Sequence, residues 1–325
     1  MAGHEIGDAP IEPDASRVPA GPTFSFELYP PRSPAAEEAL RSHLARLVAS
    51  QPDFISVTYG ANGSSRDVSL SVLRHLLENT DVPPMAHFTA VGSTFADASR
   101  LVREFLDAGI TSFLALRGDP PPGVPDEELV LGDFRSASEL VQLIHGVQRE
   151  REPFVTNEVR GFPGAKRLGP GRKVTIAVAA FPNGHPLSRS RAQDIDTLLA
   201  KEAAGANLAI TQLFFDADDY LRLVEDARAA GVTMPILPGI QPVLNEQRLH
   251  RILELTRVPM PERLLRDIRA AADPLAVGIA HAAALARAVL DGGAPGIHLY
   301  TSNRSEAPLA ILDDIGLLTS REIPA

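Results

Sequence analysis

Short apolar runs recur along this chain, separated by longer stretches whose apolar residues fall at helical spacing. The runs at 23–29 (TFSFELY), 53–59 (DFISVTY) and 85–90 (MAHFTA) read as strands that stop at polar or turn-forming residues. A fourth, 111–116 (TSFLAL), ends at Arg117-Gly118-Asp119 and then three prolines, which forbid continuation as helix or ladder. Four more follow at 174–181 (VTIAVAAF), 207–214 (NLAITQLF), 235–240 (PILPGI) and 296–301 (GIHLYT).

The stretches between them carry helix signals. Leu40, Leu44, Leu47 and Val48 form one stripe, Val68, Val72, Leu73, Leu76 and Leu77 a second, and Ala137, Leu140, Val141, Ile144 and Val147 another. Ser33 with Pro34, Thr94 with Asp97, Asp216, Asn245, and Asp273 with Pro274 are N-terminal caps or first-turn residues, and a further helix starts near Pro261. Eight strands, each followed or preceded by a helical crossover, predict a single-domain (β/α)8 TIM barrel. A doubly wound open sheet is the alternative. The barrel is preferred because no composition break marks a second domain and because polar residues recur at the strand ends, which a barrel gathers on one face. Residues 1–21, poor in large apolar side chains, are expected to form a mobile tail ahead of a catalytic barrel at 22–325. A basic Gly/Pro-rich insertion at 151–173 interrupts the pattern; it lacks a Gly-Lys-Ser/Thr ending and reads as a loop or irregular hairpin rather than a phosphate loop.

Composition narrows the function. The net charge of -10 argues against nucleic acid and anionic membrane as partners, so a small molecule is expected. With no cysteine there is no thiolate metal site or cysteine nucleophile, and no apolar run reaches the roughly 20 residues of a membrane span; a cytoplasmic protein is the expectation. Apolar positions on the outer helices leave a homo-oligomer open. His87, His185, His281 and His298 lack metal-ligand spacing, and no metal is expected.

The strand ends supply Glu27, Thr58, His87, Arg117, Asp119, His185, Gln212, Gln241, Tyr300, Asn303 and Arg304. Phe24, Phe26, Leu28 and Tyr29 around Glu27 suggest an apolar setting that raises its pKa and suits a general acid, although Glu27 is also compatible with a pair to a basic group of a neighbouring strand. Asp119, beside Arg117 and backbone donors, is expected to stay ionised and stabilise a cation, although the two residues flanking a turn are also compatible with a surface ion pair. Gln212 and Gln241 each offer the donor and acceptor that an amide-like heterocycle edge requires, and are equally compatible with polar barrel filling.

In order and spacing, FSFELYPPRS, DFISVTYGANGSSRD, AHFTAVGST, LALRGDPPPG, AGANLAITQLFFD, PGIQPV and HLYTSNRSE resemble the methylenetetrahydrofolate reductase family over nearly the whole barrel. The resemblance implies reduction of 5,10-methylenetetrahydrofolate to 5-methyltetrahydrofolate by NADH or NADPH, a step of one-carbon metabolism that serves methionine biosynthesis. It implies that Glu27 is the acid that opens the five-membered ring at N10, that Asp119 favours the resulting N5 iminium, that Gln212 bonds the pterin and that Arg304 lies near the folate tail. Thr58, His87, Arg117, Gly118, Phe181, His185, Asp194 and Lys201 occupy positions that contact FAD in the family. The chain departs from that pattern at Phe181, where Tyr is common, at Thr197 and Ala200, where Asn and Arg contact the flavin, and at Ser136-Ala137 in place of a Tyr-Ala step. These departures suggest direct hydride transfer to the folate; transfer through FAD and a non-catalytic folate-binding barrel are the alternatives. A carbon–carbon lyase is disfavoured, because no strand end offers a Schiff-base Lys or a metal cluster.

Overall fold

The computed structural model describes residues 21–58, 66–89, 92–118, 132–151, 156–158, 166–168 and 174–318. Its first half runs β1 (Thr23–Leu28), α1 (Pro34–Ala49), β2 (Phe54–Val57), α2 (Arg66–Asn79), β3 (Pro84–Thr89), α3 (Phe95–Asp107), β4 (Ser112–Leu116) and α4 (Ala137–Arg151). Within the insertion, β5 (Thr156–Glu158) and β6 (Lys166–Leu168) pair antiparallel. The alternation resumes with β7 (Thr175–Ala180), α5 (Arg191–Ala203), β8 (Leu208–Thr211), α6 (Ala217–Ala229), β9 (Ile236–Leu237) and β10 (Gly239–Ile240). Then come α7 (Glu246–Thr256), α8 (Glu262–Ala270), α9 (Pro274–Asp291), β11 (Gly296–Tyr300) and α10 (Glu306–Asp314).

The parallel sheet runs β10-β11-β1-β2-β3-β4-β7-β8-β9. Only Pro238 separates β9 from β10, so the two ends of this order are halves of one bent strand. Nine segments therefore make eight staves, and the sheet is a TIM barrel.

Period-two alternation sorts the side chains. Phe24, Phe26, Leu28, Ile55, Val57, Phe88, Phe113, Ile176 and Val178 join the helices in the main core, whereas Met85, Leu114, Ala177, Ile210 and Leu237 pack as a separate cluster with Phe54, Leu116 and Leu208. That second cluster fills the barrel interior. Polar residues of the same parity follow it toward the C-terminal ends of the strands.

Helix starts follow the sequence signals: Ser33 Oγ accepts from Ala36 N, Thr94 Oγ1 from Asp97 N, and Asp273 Oδ1 from Leu275 N and Ala276 N. Asp216 and Asn245 cap α6 and α7 in the same way. Helices α7, α8 and α9 form a satellite core from Val243, Leu249, Leu264, Leu265 and Ile268. Gly278 lets α9 approach the chain after β10, where an added Cβ would lie 1.7 Å from Val243 O. Among the described helices α9 alone is long and apolar enough to match a membrane span, but its Ala282, Ala283, Leu285, Ala286 and Val289 are buried in the fold.

Candidate active site

At the C-terminal end of β1, Glu27 is 6% exposed. Thr58, just after β2, donates its hydroxyl to Glu27 Oε1 at 3.1 Å. His87 Nε2, from β3, stands 3.4 Å from Glu27 Oε2 without the alignment of a hydrogen bond, and His298 Nε2, from β11, lies 3.8 Å away. His298 is fixed from behind by Ser25 Oγ at 2.7 Å from Nδ1, with Ser56 Oγ 3.5 Å from Nε2.

This geometry overturns the expectation of a raised Glu27 pKa. Burial does push the carboxyl up, but His87 and His298 outweigh it and hold Glu27 well below the usual carboxylate range. The physical reason is the strand period: Phe24, Phe26 and Leu28 are neighbours in sequence yet belong to the opposite, helix-facing side. Burial in turn lowers the His298 pKa, against the pull of Glu27, and favours the neutral imidazole. The Tyr29 and Tyr300 phenols are pushed up by burial and by Glu27, so both remain hydrogen-bond donors.

A second group of residues lies around the end of β7. The Phe181 and His185 rings meet edge-on at 4.7 Å, and Lys201 Nζ sits 6.0 Å from the Phe181 centroid while donating to Ala179 O at 2.8 Å. Burial lowers the Lys201 pKa to about 8, with Asp194 opposing the shift. Asp194 Oδ1 accepts from His185 N and Ser188 Oγ. His185, Ser188, Arg189, Arg191, Asp194 and Arg222 line a cleft of about 530 Å³. Gln212 faces a smaller hollow shared with Phe181 and the 182–184 turn, and its Oε1 accepts from Leu213 N.

A family model described as methylenetetrahydrofolate reductase matches residues 15–316. The chain is 33% identical over 297 residues to 5,10-methylenetetrahydrofolate reductase of Escherichia coli K12, covering 90% of each. The chain belongs to the methylenetetrahydrofolate reductase family. Over 304 residues it is also 33% identical to a probable methylenetetrahydrofolate reductase (NADPH) of Caenorhabditis elegans, covering 90% of this chain and 42% of that one. The corresponding figures for a probable NADH form from Oryza sativa are 31% over 317 residues, with 92% and 49% covered. Among solved structures, a Clostridium thermocellum protein that binds two copies of 5-methyl-5,6,7,8-tetrahydrofolic acid shares the fold, with a TM-score of 0.62 at 13% identity over 93% of this chain and 96% of that one.

For a methylenetetrahydrofolate reductase, the structure divides the expected residues into two groups. Glu27, Thr58 and His87 are in mutual reach, while Phe181, His185, Asp194 and Lys201 surround the β7 end. Arg117 and Gly118 follow β4, Gly118 with a φ of 94° that favours glycine. Asp119 lies outside the described residues. Gln241 Nε2 donates to Ser302 Oγ at 3.2 Å, and Arg304 is exposed at the start of α10. Tyr300 donates its phenol to Thr211 O at 2.8 Å, a side-chain link from β11 to β8 past the divided stave between them. Of the other members of the Glu27 cluster, the sequence brings up His298 only as lacking metal-ligand spacing and does not bring up Ser25 or Ser56. Their signal was parity: Ser25 shares it with Glu27, and His298 with Tyr300.

The cleft beside β7 carries both acceptors and cations, the groups a dinucleotide such as FAD would use. The cleft presents the Asp194 carboxylate as an acceptor for ribose hydroxyls, and Ser188, Arg189, Arg191 and Arg222 as donors for phosphate. The family departures are visible too: Thr197 Oγ1 is turned back to Gln193 O at 2.7 Å, and Ala200 is exposed without a polar group.

Proposed function

We propose that this chain reduces 5,10-methylenetetrahydrofolate to 5-methyltetrahydrofolate in the barrel mouth above Glu27, with NADH or NADPH as the electron source. The observation that carries this reading is the buried Glu27 carboxylate with imidazoles at 3.4 and 3.8 Å, placed at a strand end in a chain of this family. Glu27 is the group that delivers the proton, with His87 Nε2 at 3.4 Å and His298 Nε2 at 3.8 Å beside its carboxyl. That proton goes to N10 as the five-membered ring opens, and the N5 iminium left behind accepts hydride. Thr58 and His298 hold the carboxylate in place. Asp119 supplies negative charge toward the iminium, Gln212 and Gln241 read the pterin edge, and Arg304 meets the anionic tail.

FAD, when bound along Phe181, His185, Asp194 and Lys201, supplies two-electron storage between nucleotide and folate. Thr197 and Ala200 favour the direct route, in which nucleotide and folate occupy the mouth together. A visible spectrum and initial-rate kinetics separate the two. Colourless, fully active protein with intersecting double-reciprocal lines supports direct transfer, whereas a yellow protein with parallel lines establishes the flavin route. Folate binding without nucleotide oxidation would make the chain a binding barrel and end the reductase reading. The cysteine-free, acidic composition supports a cytoplasmic setting.

Glu27→Gln keeps the shape and removes the proton. Turnover is expected to fall about 10²–10⁴-fold with 5-methyltetrahydrofolate affinity nearly unchanged. Wild-type turnover in this variant would eliminate Glu27 as the acid.

A further inference from the structure

The two glutamines assigned to the pterin each follow a strand end: Gln212 comes one residue after β8, and Gln241 one residue after β10. Between these strands the ladder is broken. β9 pairs with β8 through Ala209–Ile236 and Ile210–Leu237, and then Pro238, which has no N–H, intervenes. Side chains take over at that point. Gly239 N donates to Thr211 Oγ1 at 2.8 Å, and the Tyr300 phenol reaches over from β11 to donate to Thr211 O, also at 2.8 Å.

Space for this arrangement depends on Gly239. A Cβ there would lie 2.3 Å from Thr211 O and 2.7 and 2.9 Å from the Tyr300 ring edge and hydroxyl. The bonded carbonyl belongs to the Thr211–Gln212 peptide, whose other end is held by Gln212 N donating to Ala180 O at 2.8 Å. Fixing both ends of that peptide fixes the direction in which the Gln212 side chain leaves the strand. On the other side, Gln241 Nε2 is held by Ser302, two residues beyond Tyr300.

We infer that Tyr300 is a positioning residue for folate recognition: its phenol, spent on Thr211 O, sets Gln212 and the adjoining Gln241 at the height the pterin needs. The inference rests on the reductase reading above. It replaces the expectation that Tyr300 binds the substrate itself.

A double-mutant cycle on the full chain tests it, with Tyr300→Phe, Gln212→Ala and the pair compared with wild type. Tyr300→Phe is expected to raise the KM for 5,10-methylenetetrahydrofolate about tenfold, the size of one lost hydrogen bond's effect, with the nucleotide KM unchanged. In the Gln212→Ala background the same change is expected to add less than about twofold, because the residue through which it acts is gone. Multiplying effects would show the phenol acting on substrate directly and overturn the inference; an unchanged folate KM in Tyr300→Phe would do the same. If Tyr300→Phe does not fold, Tyr300→Met, which also removes the donor and leaves a flexible side chain to fill the space, enters the cycle with the same expectations. If wild type shows no folate-dependent nucleotide oxidation, the reductase reading fails by itself, and the cycle is read from calorimetric affinities for 5-methyltetrahydrofolate.

Discussion

Glu27 shows how a residue's sequence neighbours mislead when its partners come from other strands. Flanking phenylalanines suggested an acid made strong-holding by burial, whereas the imidazoles that govern it arrive from β3 and β11, 60 and more residues away. Lys201 is the converse case, a charge whose surroundings oppose it. The residue is 8% exposed, and burial brings its pKa to about 8. Such an ion is maintained at a cost to stability, and Lys201→Met is expected to raise stability at pH 7 by about 1–3 kcal/mol while weakening dinucleotide binding. The sign with pH follows from the depressed value. Between about 8 and the ordinary lysine value near 10.4 the unfolded chain binds the extra proton, so wild type gains stability as pH rises and the advantage of the Met variant narrows over that window. Urea titrations at pH 7 and pH 9.5 measure the difference; a constant gap would show that Lys201 is not the cause.

Among the elements, helices were legible wherever a short polar residue met a periodic stripe. Ser33, Thr94, Asp216, Asn245 and Asp273 all cap as their side chains require, because capping is local chemistry. The stave at 235–240 was read as one strand, yet Pro238 divides it and gives its halves different partners; the partners are remote in sequence, so only the fold reveals the division. The Glu27 site was half legible for a related reason: Glu27, Thr58 and His87 sit at strand ends, while His298, Ser25 and Ser56 look like ordinary barrel filling until the strands are placed side by side. Gly278 tests packing against propensity. Alanine favours a helix by about 1 kcal/mol over glycine, but a Cβ 1.7 Å from Val243 O forces α9 away, and Gly278→Ala is expected to lose about 1–3 kcal/mol net in urea unfolding. Gly146→Ala in α4, with nothing within 4 Å, is the control and is expected to gain up to about 1 kcal/mol.

At the scale of the whole molecule, the strand count and crossovers allowed a barrel or a doubly wound open sheet, and the polar residues at the strand ends favoured the barrel that the strand order shows. All eight joints are parallel ladders, but the two that flank the stave divided at Pro238 hold only two residue pairs each, and Thr211 and Tyr300 bridge them. Native-state hydrogen exchange is expected to show the amides of β9 and β10 opening at lower free energy than those of β1 to β4, and Tyr300→Phe to widen that gap. Uniform protection around the ring would contradict it. In mechanical terms the barrel is a hoop with one soft stave. Its compliance is concentrated at the side-chain bridge beside Gln212 and Gln241, so strain from an arriving pterin is taken up there while the half of the hoop bearing Glu27 stays stiff.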